Sequence, residues 1–189
     1  MPVISVTLVP GYPPKDQARL VSHLAAAARS VVPATEAGTT VFIHEASTYQ
    51  RDGRVLTGGG GATALPDAGG VVREFLEAVG RRDLSAARLL LAPAYQLVFP
   101  GGEVMHDLAE LAPWAANRYE SISKHIERVD QAWQGDVTVV FCSGTLAGRW
   151  RDGSAFQGIR FVDRFELVGG RIRRQEVWND LAEARQAIA

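Results

Sequence analysis

The sequence has a single cysteine, no long apolar run and almost no net charge, and each of these shortages excludes a class of protein. Cys142, the lone cysteine, cannot form an internal disulfide, which fits a reducing compartment. The formal net charge of −1 provides no electrostatic footprint for nucleic acid or for an anionic membrane. No stretch approaches the roughly 18 apolar residues of a membrane span, and no signal peptide is recognisable. We therefore expect a cytoplasmic protein that binds neither nucleic acid nor a membrane.

The sequence also lacks the patterns that bind metals and phosphates. Its four histidines are scattered and show no paired ligand spacing. The run GGGG is not followed by the Lys-Ser or Lys-Thr pair of a phosphate-binding loop. Cys142 lies in the apolar run VTVVFCSG, which favours a packed small hydrophobe over a nucleophile. We expect neither a metal nor an organic cofactor.

A glycine-rich segment, TGGGGATALPDAGG, occupies residues 57 to 70 and divides the chain. Sequence of this composition is flexible and packs poorly, which is typical of a linker. We therefore predict a first domain at residues 1–57, a linker at residues 58–67 and a second domain at residues 68–189.

The first domain is predicted to be a strand, a helix and a second strand. ISVTLV alternates in a strand-like manner, apolar residues recur at helical spacing from Lys15, and TTVFIHEAS is again strand-like. A β–α–β unit of this length favours parallel pairing of its strands. A domain this small buries little core by itself, so we expect it to need self-association or the second domain for stability.

Pro2, directly after the initiator methionine, has two interpretations. In the first it is simply the first residue of a strand, where proline is tolerated. In the second Met1 is removed, and the secondary amine of Pro2 becomes a free N-terminus with a pKa close to working pH. Such an amine can take a proton from the carbon next to a carbonyl and return it elsewhere.

Residues 2 to about 60 resemble the 4-oxalocrotonate tautomerase family. The matching features are Pro2, the opening strand, a turn at Gly11, the helix, a strand ending IHEA and the hairpin STYQRDGRVLTGGG. The resemblance implies Pro2 as the catalytic base, and oligomers whose active sites draw residues from neighbouring subunits. It also implies an aromatic residue that shields the proline, for which Tyr49 is the match.

The same resemblance implies two arginines that bind a substrate carboxylate, and both are replaced here. Tyr12 follows the first-turn glycine and Thr40 precedes the apolar run of the second strand. Arg51 and Arg54 of the hairpin can substitute for them, or can be ordinary solvated surface arginines. A dicarboxylate substrate is therefore not indicated, and Tyr12 is expected to contact a different substrate.

The second domain begins with helices and continues with long strands separated by turns. VVREFLEAVG and LSAARLLL are amphipathic, YQLVFPGGEVM is typical of a hairpin, and HDLAELAPWAANRYESI is again helical. The strand-like runs come after these helices. This order predicts an α+β fold in which helices cover one face of a curved antiparallel sheet and enclose a pocket.

Asp163 is the candidate acid of that pocket. In IRFVDRFEL, alternation places Phe161, Asp163, Phe165 and Leu167 on one face of a strand. One carboxylate among apolar neighbours is expected to have a raised pKa and to donate a hydrogen bond at neutral pH. The alternative is a hydrogen-bonded structural carboxylate.

The second domain resembles the SnoaL-like, nuclear-transport-factor-like superfamily, which also contains the ketosteroid isomerases. The resemblance rests on REFLEAVGRRDLSAARLLLAPAYQLVFPGG, RFVDRFELVGGRI and EVWNDL. It implies a cone-shaped α+β barrel with a deep apolar cavity. Asp163 then matches the isomerase acid that stabilises the enolate oxygen. The position of the general-base aspartate is occupied by Phe99 and that of the oxyanion-hole tyrosine by Phe75, so a standard ketosteroid isomerase is not indicated.

Other residues are candidates for the missing base and for the walls of the cavity. His125, which is expected to open a strand, and Tyr119, which is expected on the preceding helix, are candidate bases or substrate contacts. Trp114, Trp178 and Phe99 are candidate cavity walls.

These observations favour a cofactor-independent isomerase or tautomerase that acts on the keto–enol chemistry of a small carbonyl compound and forms a homo-oligomer. In this interpretation Pro2 and Asp163 are the catalytic residues of two pockets. One alternative is a polyketide-type cyclase, hydratase or dehydratase whose first domain is structural. The other is a non-enzymatic oligomer that binds small molecules.

Overall fold

The computed structural model describes residues 1–57 and 63–186 of the chain. Two units are distinguished, Met1–Ala64 and Leu65–Ala189. Residues 58–62, half of the segment that we interpret as a linker, lie outside the described residues. Within the described residues no helix is long and apolar enough to cross a membrane.

Over residues 1–57 the first unit contains one helix and four short strands, in the order β1 (Val3–Leu8), α1 (Pro14–Arg29), β2 (Thr40–Glu45), β3 (Thr48–Arg51) and β4 (Arg54–Thr57). As the length of the connection predicts, β1 and β2 pair in parallel through the helix. β3 and β4 form an antiparallel hairpin. The helix starts at Pro14, in its first turn, where the missing backbone N–H of a proline costs nothing.

The first unit has little core of its own. None of its described residues is fully buried. Phe42 of β2 remains 50% exposed and Val3 of β1 remains 66% exposed. The two-stranded sheet therefore presents apolar side chains that no described residue of this unit covers.

The second unit contains four α-helices, one 3-10 helix and six strands in its described part. The helices are α2 (Ala68–Gly80), α3 (Leu84–Leu89), a 3-10 helix (Leu108–Glu110), α4 (Leu111–Ala116) and α5 (Leu181–Gln186). The strands are β5 (Leu91–Phe99), β6 (Glu103–Met105), β7 (Tyr119–Gln134), β8 (Val137–Trp150), β9 (Ala155–Val168) and β10 (Arg171–Asn179).

The strands of the second unit form one mixed sheet in the order β6-β5-β10-β9-β8-β7. The prediction of an antiparallel sheet is wrong in one place, because β10 and β5 pair in parallel. These strands are neighbours in the sheet but lie at opposite ends of the unit's sequence. No local pattern reports such a pairing, whereas the hairpin-like connections of β7 to β10 were visible in the turn residues.

The core of the second unit lies between this sheet and the long helix α2. The side chain of Asp67 caps α2 by accepting a hydrogen bond from the backbone N–H of Gly70 at 2.8 Å. The helix then buries an apolar stripe that includes Val72, Phe75 and Ala78. Phe75 meets Phe165 of β9 edge to face, with ring centroids 6.0 Å apart. Phe75 is therefore part of the core.

Two glycines of β8 bend the sheet where the register of β7 is irregular. A Cβ atom on Gly144 would collide with the backbone carbonyl of His125, and one on Gly148 would collide with that of Ser121. The register between β7 and β8 shifts next to both glycines. Glycine in a strand interior permits such close backbone approach, so these two positions curve the β7–β8 end of the sheet.

Candidate functional site

The buried face of β9 carries Asp163 as the alternation predicted. Phe161, Asp163, Phe165 and Leu167 are all buried, whereas Arg160 and Val162 are exposed. Residues of the two neighbouring strands lie directly opposite Asp163 in the sheet. Asp163 is opposite Val177 of β10 on one side and opposite Cys142 of β8 on the other. Asp163 is thus a fully buried carboxylate in the middle of the sheet, among apolar neighbours.

Asp163 is not isolated, because two side chains bind its Oδ2 atom. Lys124 of β7 reaches across β8, and its Nζ contacts Oδ2 as an ion pair. Gln175 of β10 donates from Nε2 to the same oxygen at 3.1 Å. The Lys124 ammonium also lies over the ring of Phe161, 4.6 Å from the centroid. We call Lys124, Asp163 and Gln175 the Asp163 cluster.

The second carboxylate oxygen of Asp163 has no hydrogen-bond partner in the part of the chain that the structure describes. Oδ1 is buried, and no described residue donates to it. Leaving a buried acceptor unsatisfied is costly, and such atoms are uncommon in folded proteins. Oδ1 is therefore an acceptor held in place by the other two members of the cluster and open to a proton or a donor.

The neighbouring thiol of Cys142 is buried and unreactive. Burial is the main reason why the pKa of Cys142 is raised from 9.0 to about 11. The charge of Asp163 also raises this pKa, and it does so by more than the charge of Lys124 lowers it. Since the thiolate is the nucleophilic form, Cys142 is a packed hydrophobe at neutral pH. The expectation for this residue is confirmed.

Phe99, Trp114 and Tyr119 belong to a second group of side chains near the core. The rings of Phe99 and Trp114 lie 4.6 Å apart, and the guanidinium of Arg118 stacks over Trp114 at 4.2 Å. The Nε1 donor of Trp114 is buried without an acceptor among the described residues. Burial raises the pKa of Tyr119, and the charge of Arg118 partly opposes that rise. We call these four residues the aromatic group.

Phe99 of the aromatic group lies on the same sheet as the Asp163 cluster. Val98 of β5 pairs with Glu176 of β10, and Val177 pairs with Asp163. Phe99, the residue after Val98, is therefore separated from Asp163 by the width of β10, which is about 10 Å across two strand spacings.

Three predicted placements in this unit are wrong. Tyr119 is the first residue of β7 and not part of a helix, because α4 ends at Ala116. His125 lies inside β7 and is exposed, since alternation turns it away from Lys124. Trp178 is 51% exposed and therefore does not line the buried face. The helical estimate failed because the helix and the strand join without a glycine or proline to mark the boundary.

The candidate residues of the first unit lie in separate segments. Pro2 precedes β1, and its carbonyl accepts from the backbone N–H of Thr40 at 3.1 Å. Tyr12 lies before α1, and its carbonyl accepts from Gln17 Nε2 at 3.0 Å. Tyr49 pairs with Leu56 in the hairpin. Arg51, on the same hairpin, is exposed and forms a 3.8 Å ion pair with Asp52.

Sequence reasoning missed Lys124 and Gln175. The signal for Lys124 was present, because Ile122, Lys124 and Ile126 alternate onto one face of β7. Gln175 gave no comparable signal, because an irregularity in the register between Ile172 and Arg174 interrupts the alternation of β10.

No metal centre accompanies these residues in the described part of the chain, where no group of three histidine, cysteine or acidic side chains is placed to hold an ion. A separate cleft of about 520 Å³ lies at the junction of β9 and α5. It is lined in part by Arg160 and Asp180, which form an ion pair at 2.7 Å, and it does not include the Asp163 cluster.

The comparisons with known proteins concern the second unit. A SnoaL-like domain family matches residues 72–175. No curated protein matches the chain by sequence. The family match does not extend to residues 1–57, so the tautomerase resemblance of the first unit stays a prediction.

Three solved structures illustrate the likeness in fold. An NTF2-like protein of unknown function from Burkholderia pseudomallei is 22% identical, with a TM-score of 0.52, and the match covers 66% of this chain and 99% of that one. TerC, co-crystallised with polyporic acid, is 18% identical, with a TM-score of 0.51 and coverage of 65% and 98%. A putative SnoaL-like polyketide cyclase from Jannaschia sp. CCS1 is 19% identical, with a TM-score of 0.50 and coverage of 69% and 97%. The α+β fold expected for the second unit is confirmed.

Proposed function

The chain belongs to the SnoaL-like domain family, and we propose that it is an enzyme that moves a proton at the carbon next to the carbonyl group of a small compound. The observation that carries this proposal is the carboxylate of Asp163. One oxygen is fixed by Lys124 and Gln175, and the other is buried and accepts from no residue that the structure describes. A carboxylate held in this way is positioned to act as a general base and then to return the proton.

The surroundings of Asp163 support a substrate with an apolar body. The side chains beside it on β9 and opposite it on β10 are Phe161, Phe165 and Val177, all buried. A carboxylate among such neighbours loses the hydration that weakens a base in water. Proton transfer between carbon and a carboxylate requires no cofactor.

The aromatic group supports the same class of ligand. Trp114 offers a buried N–H donor for which the described part of the chain supplies no acceptor, and Phe99 is packed against it. Among similar folds, one is named a putative SnoaL-like polyketide cyclase and another was co-crystallised with polyporic acid. Both names support a small organic ligand for this chain. Cyclisation of the substrate after the same proton transfer is therefore the alternative reaction.

The test is deuterium exchange at the carbon next to the carbonyl, followed by NMR with phenylacetaldehyde, cyclohexanone and phenylpyruvate as probes. Asp163→Asn preserves the shape of the side chain and removes the base, so exchange should fall by about 100-fold or more. Asp130→Asn is the matched control, because Asp130 is an exposed carboxylate of β7 paired with Arg128. Equal exchange in wild type and Asp163→Asn would refute the role of Asp163. Binding of probes without exchange would favour the non-enzymatic alternative.

We propose a second proton-transfer site at Pro2 of the first unit. The parallel β1–α1–β2 arrangement supports it, together with the position of Pro2 immediately before β1. The exposure of the apolar side chains of Val3 and Phe42 supports self-association of this unit. Intact mass determines whether Met1 is removed, and Pro2→Ala with phenylpyruvate tests the base. A retained methionine, or equal tautomerisation by the variant, would exclude Pro2.

A further inference from the structure

Lysine is rare in this protein, and one of its lysines is at the buried acid. The sequence contains 18 arginines and two lysines, Lys15 and Lys124. Lys124 is the only lysine of the second unit's sequence, and it is the cation paired with Asp163. Arginine binds a carboxylate more strongly, because its planar guanidinium donates two parallel hydrogen bonds. An ammonium differs in that it can lose its proton and become a nucleophile.

We propose that Lys124 forms an iminium with the carbonyl carbon of the substrate, and that Asp163 accepts and returns the protons of this step. This inference rests on the proposed function and deepens it. The substrate class becomes aldehydes and unhindered ketones that carry a hydrogen on the neighbouring carbon.

The geometry meets the two requirements of such a nucleophile, which are access and an adjacent base. The side chain of Lys124 is 27% exposed, which makes it the member of the ion pair that a small molecule can approach, whereas the side chain of Asp163 is fully buried. Nζ contacts Oδ2 of Asp163, which is within the range needed for direct proton transfer. Contact with the ring of Phe161 limits the positions that the amine can adopt.

Binding of an apolar compound over Lys124 also favours the uncharged amine. Two opposite charges are costly to keep in a site from which water has been expelled. Transfer of one proton from the ammonium of Lys124 to the carboxylate of Asp163 removes both charges at once. When the substrate binds, it displaces the water that stabilised the ion pair, and the amine that will attack it becomes uncharged.

The steps balance without any further reactant. The ammonium of Lys124 passes a proton to Asp163, and the free nitrogen pair forms a bond to the carbonyl carbon while the C=O π pair moves to oxygen. That oxygen takes the proton from Asp163. Asp163 then removes a second proton from nitrogen and gives it to the hydroxyl group, which leaves as water as the C=N bond forms. The net change is one carbonyl compound and one ammonium converted to one iminium and one water.

The iminium makes the neighbouring carbon acid stronger, because the cationic nitrogen accepts the electron pair that the departing proton leaves behind. Asp163 is again a carboxylate at this stage. It takes that proton and leaves a neutral enamine on Lys124. Oδ1, which accepts from no described residue, is the oxygen that we assign to receive it.

The experiment is reductive trapping on the full-length protein with phenylacetaldehyde and sodium cyanoborohydride, followed by intact mass and peptide mapping. Lys15 is an internal control, because it is exposed and lies in the first turn of α1. Lys124 should be alkylated about 100-fold faster than Lys15, which is the acceleration that a positioned base provides. The N-terminal amine maps to a different peptide and is scored separately.

Two variants separate the contributions of charge and nucleophile. Lys124→Arg keeps a cation beside Asp163 but cannot form an imine, so the adduct and the deuterium exchange should both be lost. Asp163→Asn should slow trapping at Lys124 by at least about 10-fold, since the proton acceptor is gone. If Lys124 of the wild-type protein is labelled no faster than Lys15, the proposal is overturned. This comparison does not depend on whether a variant folds.

The failures of the two proposals give different results. Exchange that persists in Lys124→Arg but disappears in Asp163→Asn would overturn the iminium and leave the proposed function intact. Trapping at Lys124 without exchange of any probe would support the nucleophile and count against the proposed proton transfer.

Discussion

Cys142 of β8 and Asp163 of β9 are directly opposite each other in the sheet, and both are completely buried. Burial disfavours the thiolate of Cys142, and the charge of Asp163 across the strand pair disfavours it further. The burial that keeps water away from the carboxylate of Asp163 therefore also keeps the thiol of Cys142 protonated.

The pKa of about 11 makes Cys142 slow to alkylate in the folded protein. At pH 8 we expect its thiolate fraction to be about 100-fold below that of an ordinary cysteine, because the pKa is raised by about two units. Iodoacetamide labelling with and without 6 M urea measures this, and only the unfolded chain should react quickly. Labelling of the native protein at the unfolded rate would contradict the burial of Cys142.

The same shift predicts a loss of stability in alkaline solution. Above pH 9.0 the unfolded chain releases the thiol proton while the folded chain retains it up to about pH 11. The free energy of unfolding should therefore fall across this window, by roughly 2 to 3 kcal/mol at most from this residue. Urea titrations at pH 8, 9.5 and 11 on wild type and Cys142→Ala measure it. A decline of the same size in both proteins would assign it to other groups.

The ion pair of Lys124 and Asp163 should show strong coupling in stability. Lys124→Met leaves the carboxylate buried without its counter-ion, and we expect a loss of about 2 to 3 kcal/mol, less than for a fully buried pair because Lys124 is partly exposed. Adding Asp163→Leu should recover most of that loss. A double-mutant cycle from urea unfolding gives the coupling free energy. Additive single effects would show that the two groups do not interact.

Gly144 should be far less tolerant of substitution than Gly80. A Cβ atom on Gly144 collides with the backbone of β7, so Gly144→Ala should destabilise the fold by about 1 to 3 kcal/mol or more. Gly80, at the end of α2, has no atom within 4 Å of an added Cβ, and Gly80→Ala should be neutral or stabilising by about 0.5 to 1 kcal/mol. Chemical unfolding compares the two variants, and similar effects would refute the close approach at Gly144.

Glu166 should contribute to loss of stability in acid. Its hydrogen bond from Arg173 lowers its pKa below 4.5, burial opposes this, and Arg164 lowers it further. A lowered pKa in the folded state means that the contribution is complete above pH 4.5 and is lost as the pH falls below that value. Glu166→Gln should flatten the decline between pH 5 and pH 3, whereas Glu120→Gln on the exposed part of β7 should leave it unchanged. Parallel curves for all three proteins would exclude this role.

The sequence predicted the buried face of β9 because strand alternation is a local property. Phe161, Asp163 and Phe165 share a face whatever their neighbours are. It also predicted the parallel β–α–β connection of the first unit from the length of the intervening helix. It did not predict the start of β7 at Tyr119, since helix ends have no fixed signal when glycine and proline are absent. It did not predict the outward position of His125 either, because alternation separates the two faces of a strand without saying which face the core covers.

By itself, then, the sequence determined that Asp163 is a buried acid in an α+β fold, because burial of one strand face follows from residues two apart. Only the tertiary structure decided that its partners are Lys124 and Gln175. That choice depends on which strands are neighbours in the sheet. It also depends on the curvature introduced at Gly144 and Gly148, and on the register shift in β10. These are relations between residues tens of positions apart, and alternation within one strand carries no information about them.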